Sequence, residues 1–114
     1  PVHTPTINSN RHIAAFVDLV DKYSTTEHRT EFYAEKLCLT SNYLNELVQK
    51  SLGISTKQYI QNRILVDAKR LLQYTDSSVL EISERLTFES SSYFIRFFRR
   101  HTGMTPIQFR STFT

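Results

Sequence analysis

Ser91-Ser92-Tyr93-Phe94-Ile95-Arg96-Phe97-Phe98-Arg99-Arg100-His101-Thr102-Gly103 repeats, at a spacing of fifty residues, the pattern of Ser41-Asn42-Tyr43-Leu44-Asn45-Glu46-Leu47-Val48-Gln49-Lys50-Ser51-Leu52-Gly53. In each copy apolar residues recur at i, i+3 and i+4 (Leu44, Leu47, Val48; Phe94, Phe97, Phe98), the stripe of an amphipathic helix with one buried face. The two glycines of the chain, Gly53 and Gly103, close the two copies. Glycine enters the left-handed conformation that ends a helix without a Cβ penalty. One structural unit is therefore present twice. Each copy turns a second face outward, Asn42, Asn45, Glu46 and Gln49 in the first and Ser92, Ile95, Arg96 and Arg99 in the second.

Working outward, each copy follows a short helical segment and a tight turn. Residues 31–37 carry Tyr33, Ala34 and Leu37 and lead through Cys38 and Leu39 into the first copy. Ser78-Val79-Leu80-Glu81 is a capping box that opens the matching segment of the second, with Val79, Ile82 and Leu86 as its apolar row. Leu86-Thr87-Phe88 then matches Leu37-Cys38-Leu39. Short helix, tight turn and second helix is the helix-turn-helix arrangement. Between the copies a further capping box, Ser55-Thr56-Lys57-Gln58, starts a helix whose apolar positions (Tyr59, Ile60, Ile64, Ala68, Leu71, Leu72) keep their period to about Tyr74. At about 1.5 Å per residue such a rod reaches roughly 30 Å, close to the ~34 Å turn of B-DNA. Thr105-Pro106-Ile107-Gln108 places Pro at the first helical position and Gln at the third.

At the other end, Ile13, Phe16, Val17 and Val20 predict a first helix over about 10–23. The Pro, Thr, Ser and Asn of residues 1–9 read as a linker remnant. The expectation is an all-α fold of seven helices forming two helix-turn-helix units joined by a long central helix. Residues 10–54 make the first unit, 55–74 the connecting helix and 75–114 the second unit with a terminal helix. A unit of about fifty residues is marginal alone, so the halves are expected to share an element.

A chain of 114 residues carries a net charge of +3, and its distribution says more than its total. Residues 1–57 hold six Lys/Arg against six Asp/Glu, whereas residues 90–114 hold Arg96, Arg99, Arg100 and Arg110 and no acid. A one-sided cationic end suits a phosphate surface, and equally an acidic protein or membrane surface. The lone Cys38 cannot form an internal disulfide and fits a reducing cytoplasm; beside apolar neighbours it reads as a buried structural thiol. No apolar run approaches the ~20 residues that span a bilayer, and the start at Pro1 without Met reads as a processed or excised piece.

Reading a base edge requires directed donors and acceptors on the exposed face of a protruding helix, and both outward faces supply them. Asn42, Asn45 and Gln49 can pair bidentately with adenine, Glu46 can accept from cytosine, Arg96 can reach guanine O6 and N7, and Ile95 offers apolar surface to a thymine methyl. Lys50, Lys57, Arg63, Arg99 and Arg100, with the Ser41 and Ser91 hydroxyls near helix starts, suit phosphate contacts that set register. Phe94, Phe97, Phe98 and Phe109 point inward by spacing, and Tyr43 and Tyr93 are expected to be partly buried with the hydroxyl at the edge. The competing reading is a pair of merely solvated faces; two matched faces, each behind a short helix and tight turn, weigh against it. Catalysis has little support. Ser90-Ser91-Ser92 has no glycine elbow or neighbouring base, and His3, His12, His28 and His101 are scattered without metal-ligand spacing, so no cofactor is expected.

The run Arg63…Ala68…Leu71-Leu72…Ser78-Val79…Ile82…Phe88…Ser92-Tyr93-Phe94…Arg96…Phe98…Gly103-Met104-Thr105-Pro106…Phe109-Arg110 resembles the DNA-binding domain of AraC/XylS-type bacterial transcription regulators over about residues 10–111. The resemblance implies two helix-turn-helix units joined by one long helix, at the C-terminus of a regulator whose other domain senses a ligand or mediates dimerisation. It also implies that the second helix of each unit enters the major groove, so that Asn42, Asn45, Glu46, Gln49, Ser92, Ile95 and Arg96 meet base edges. Double-stranded DNA is then the partner. The alternative is a protein-interaction module whose basic face docks on an acidic partner such as RNA polymerase. Four residues depart from the family pattern. Thr87 stands where Gly is common, with Cys38 at the matching place, so either that turn differs or a β-branched residue is held under strain. Ser83 replaces a common Ala, and Val48 stands where an aromatic is frequent, which would loosen the first core.

Overall fold

The computed structural model describes residues 5–114. Seven α-helices and no strand are present among them: α1 (Pro5–Tyr23), α2 (Thr30–Lys36), α3 (Ser41–Leu52), α4 (Thr56–Tyr74), α5 (Val79–Arg85), α6 (Ser91–Thr102) and α7 (Pro106–Ser111). Helix α1 begins at Pro5 rather than near residue 10, so the helix takes in residues 5–9 of the expected linker, while residues 1–4 lie outside the described residues. Proline suits the first helical position because its missing N–H has no partner there anyway. The Asn and Ser that follow cost only a few tenths of a kcal/mol each in a helix.

Two compact units result, the first running to Arg63 and the second from Ile64. The boundary falls inside α4, so this unbroken helix contributes its first half to one core and its second half to the other. In the first unit Phe16 and Val20 of α1, Tyr33 and Ala34 of α2, Leu44, Leu47 and Val48 of α3, and Ile60 of α4 are buried. Phe16 sits edge-on to Tyr33 (centroids 5.9 Å apart) and 5.2 Å from the Tyr59 ring. The Tyr33 hydroxyl donates to the Glu27 carbonyl at 2.7 Å, which satisfies its one buried polar atom. Burial, reinforced by the Glu27 charge, pushes the Tyr33 phenol well above its ordinary value. Val48 is fully buried. The aromatic volume of this core comes instead from Phe16, Phe32, Tyr33 and Tyr59.

The second core is built from Ile64, Leu65, Ala68 and Leu72 of α4, Ile82 of α5, Leu86 and the three phenylalanines of α6. Phe88 lies 5.1 Å from Phe94 and 5.2 Å from Phe97, and Phe109 of α7 packs edge-on to Phe98 at 5.5 Å. Ser83, fully buried where the resembled family commonly has alanine, donates its hydroxyl to the Leu80 carbonyl at 2.7 Å. That local bond removes the penalty of a buried unpaired hydroxyl.

The turns repeat as closely as the helices. After α2, the Cys38 N–H reaches the Glu35 carbonyl (3.0 Å) and Leu39 N–H the Ala34 carbonyl (2.9 Å); after α5, Thr87 N–H reaches Glu84 (3.0 Å) and Phe88 N–H reaches Ser83 (2.9 Å). Both are Schellman closures, which require one left-handed residue. Cys38 at φ 58° and Thr87 at φ 64° take that place. The turns therefore keep the geometry glycine would give, and Thr87 carries about 1–2 kcal/mol of backbone strain. Cys38 is exposed, which corrects the expectation of a buried thiol. In the left-handed bend the side chain of Cys38 is exposed while its neighbours Leu37 and Leu39 stay half-buried.

The capping boxes at Ser78/Glu81 and Thr105/Gln108 form completely, with Pro106 opening α7. At the start of α4 the Gln58 N–H does reach the Ser55 hydroxyl (3.1 Å), but the Gln58 amide runs forward to Asn62 Oδ1 at 2.7 Å.

Candidate nucleic-acid interface

Helices α3 and α6 are copies in exposure as well as in sequence. Position for position, residues 41–50 and 91–100 show the same order of buried, half-buried and exposed side chains. Leu44, Leu47 and Val48 face inward in one, Phe94, Phe97 and Phe98 in the other. Each helix is capped one residue before the repeat: the Thr40 hydroxyl accepts from Tyr43 N–H and the Ser90 hydroxyl from Tyr93 N–H, both at 3.1 Å. Ser41 and Ser91 are thus the first helical residues, half-buried. Gly53 (φ 79°) and Gly103 (φ 78°) end the helices with N–H bonds to Gln49 and Arg99.

On α3, Asn42, Glu46, Gln49 and Lys50 are exposed, and the last three line a shallow depression. On α6, Ser92, Arg96, Arg99 and Arg100 are exposed. Arg99, Arg100 and His101 occupy the last turn, where the partial negative charge of the helix end favours cations. Tyr43 and Tyr93 keep 39% and 48% of their surface exposed. The Arg96 guanidinium carbon stands 5.9 Å from the centre of the Tyr93 ring. The i, i+3 spacing of Tyr93 and Arg96 along the chain already places them on one helical face.

Three expected contact residues are placed differently. Asn45 is half-buried and its Oδ1 accepts from Thr56 N–H at 3.0 Å, satisfying a free donor at the start of α4. Bidentate pairing with adenine needs that same oxygen, so Asn45 in this state supports α4 instead of presenting an amide. Asn45→Ala is expected to destabilise the domain by about 1 kcal/mol, the usual worth of a lost helix cap, with base preferences unchanged. Unfolding midpoints and binding to duplex variants would check it, and a lost adenine preference at full stability would restore the base-reading role. Ile95, at the matching position, is half-buried and lines an apolar groove with Val79, Thr105, Pro106 and Ile107. Arg63 is in an ion pair with Asp21 of α1, a partner that competes with any phosphate. Burial, reinforced by Asp21 and opposed by Arg63, raises the pKa of the neighbouring Tyr59 phenol. Lys57 stays exposed in the first turn of α4.

Arg110, counted with the cationic end, is withdrawn from it. Its guanidinium donates through Nε to the Leu72 carbonyl (2.9 Å) and through one terminal nitrogen to the carbonyls of Thr75 (3.2 Å) and Leu71 (3.5 Å). It caps the C-terminal end of α4.

Among the described residues no three of His, Cys, Asp and Glu converge on a point that could hold a metal ion, and His3 lies outside them. Among the described residues no helix is long and apolar enough to cross a membrane.

Comparison with known proteins places the chain among regulators with this architecture. A family model described as a helix-turn-helix domain matches residues 33–112. The chain is 32% identical over 96 residues to the uncharacterized HTH-type transcriptional regulator YijO of Escherichia coli strain K12, a match covering 84% of this chain and 34% of that protein. It thus spans about a third of that relative's length. Among solved structures it is similar to an AraC-type transcriptional regulator from Chromobacterium violaceum (TM-score 0.79, 25% identity, 92% of this chain and 94% of that one). The DNA-binding domain of the global transcriptional factor AdpA, solved in complex with a target DNA, shares the fold (TM-score 0.79, 23% identity, 87% of this chain and 89% of that one).

Proposed function

Because the chain belongs to the AraC-type helix-turn-helix family of transcription regulators, we propose that α3 and α6 each enter a major groove of double-stranded DNA and together recognise a bipartite site. The observation that carries this is the pair of helices with one exposure pattern, each behind a short helix and a Schellman turn. In this reading Asn42, Glu46, Gln49, Ser92 and Arg96 meet base edges, while Lys50, Lys57, Arg99 and Arg100 hold phosphates. Ser41 and Ser91 add hydroxyl donors at the helix starts. The domain acts by binding, without chemistry of its own, in the bacterial cytoplasm at the nucleoid where the chromosome lies. The full regulator is read as carrying a sensing or dimerisation domain N-terminal to this one, a reading the greater length of its relatives supports, and RNA polymerase is read as a further partner. The DNA complex of the similarly folded AdpA domain supports the choice of ligand.

Selection of bound sequences from a random duplex library tests the proposal. The expected product has two conserved segments with centres about one helical turn, ~10–10.5 base pairs, apart, and log K falling linearly with log salt as counterions are released. A chain that enriches no duplex at low salt, while its basic face captures an acidic protein, would replace this reading with that of a protein-interaction module.

A further inference from the structure

We propose that Tyr93 is a positioning residue for Arg96, holding the guanidinium against its ring so that the side chain meets a base edge already ordered. The inference rests on the reading of Arg96 as a base contact. Arginine is among the side chains that lose most rotamer freedom when immobilised, and a cation over an aromatic face is held there by the ring quadrupole. The geometry supplies such a hold at 5.9 Å from the ring centre.

What makes the ring a fixed support is the stack behind it. Tyr93 leans on Phe88 (centroids 6.0 Å apart, planes at 40°), and Phe88 in turn packs on Phe94 and Phe97 of the core. The backbone at Tyr93 is tied to the Ser90 cap at 3.1 Å. A line of contacts thus runs from the buried phenylalanines through Phe88 and Tyr93 to the Arg96 head. Among the described residues no ion pair draws the Arg96 guanidinium away. The first copy lacks the device: Tyr43 is there, but position 46 is Glu, which the negative face of a ring repels.

The test compares wild type, Tyr93→Phe, Tyr93→Ala, Arg96→Ala and the Tyr93→Ala/Arg96→Ala double variant. Each is measured on the selected duplex, on the same duplex with the guanine read by Arg96 replaced, and on a random duplex. Tyr93→Ala is expected to lower discrimination at that base pair about two- to fivefold. Tyr93→Phe keeps it, and the double variant discriminates no less than Arg96→Ala alone. In the free protein the Arg96 Nε–Hε resonance, shifted by the ring current in wild type and Tyr93→Phe, moves to its random-coil position in Tyr93→Ala. Equal losses on all three duplexes, or the same loss in both Arg96 backgrounds, would overturn the positioning role. An unchanged resonance in Tyr93→Ala would overturn the stack itself. Failure of the underlying reading looks different: Arg96→Ala then keeps full discrimination while the Tyr93→Ala resonance still moves.

Discussion

Arg96→Ala is expected to weaken binding to the selected duplex by about 1–3 kcal/mol, roughly 5- to 150-fold, and to erase the preference at one base pair. The magnitude follows from its position and chemistry. Arg96 is exposed in the middle of α6, on the opposite side from the buried phenylalanines. Its planar fork matches the two acceptors of guanine in the major groove, where a bidentate pair discriminates against the wrong base. Lys50 and Arg99 lie on the same faces nearer the helix ends and are assigned to phosphates. Lys50→Ala should therefore weaken all duplexes alike and lower the salt slope by about 1. Binding constants on the selected duplex, its single-base variants and random DNA separate the two behaviours. Should Arg96→Ala lose affinity equally on every duplex, its role is electrostatic grip and base reading falls to other residues.

Arg110→Ala is expected to destabilise the domain by about 2–3 kcal/mol. The final carbonyls of any α-helix lack partners inside it; at the end of α4 the Arg110 guanidinium donates to the Leu72 carbonyl, to the Thr75 carbonyl just past the helix, and at 3.5 Å to the Leu71 carbonyl, which already accepts from Thr75 N–H at 3.2 Å. The Leu71 carbonyl also accepts from the Thr75 hydroxyl at 2.6 Å, so the bond to Leu72 is the least replaceable. Hydrogen bonds from charged donors contribute about 1.5–3 kcal/mol, and the cation lies where the helix dipole favours it. Lysine presents a point charge in place of a fork, so Arg110→Lys should recover less than half of the loss. Urea unfolding of the three proteins measures this through the transition midpoint. An unchanged midpoint, coupled with a shallower salt dependence of DNA binding, would return Arg110 to the phosphate-contacting set.

The paired fates of these two arginines mark how far the residues could be read in order. Both stand in the same acid-free stretch and carry the same charge. One is exposed on the face opposite the core and the other is folded back onto a helix end thirty-eight residues upstream. The stripe Phe94, Phe97, Phe98, the closure at Gly103 and the box at Thr105/Gln108 were all legible, because each is settled within about four residues along the chain. The family resemblance, not local spacing, marked Thr87 and Cys38 as stand-ins for glycine, and the backbone does force both to positive φ.

The polar residues held by other elements share a different property. Asn45 meets Thr56 eleven residues on, and Arg63 meets Asp21 forty-two residues back. Periodicity says which face of a helix is wet, but not what another element brings to that face. The repeat itself, its seven helices, the capping boxes of α5 and α7, the glycine ends of α3 and α6 and the buried stripes were therefore written in the order of the amino acids, since helix geometry couples only near neighbours. Which polar side chains remained exposed as contact candidates, and which were spent on ends of α4 or on α1, was decided by tertiary packing. A buried or free backbone donor or acceptor takes the nearest partner in space, whatever its distance along the chain.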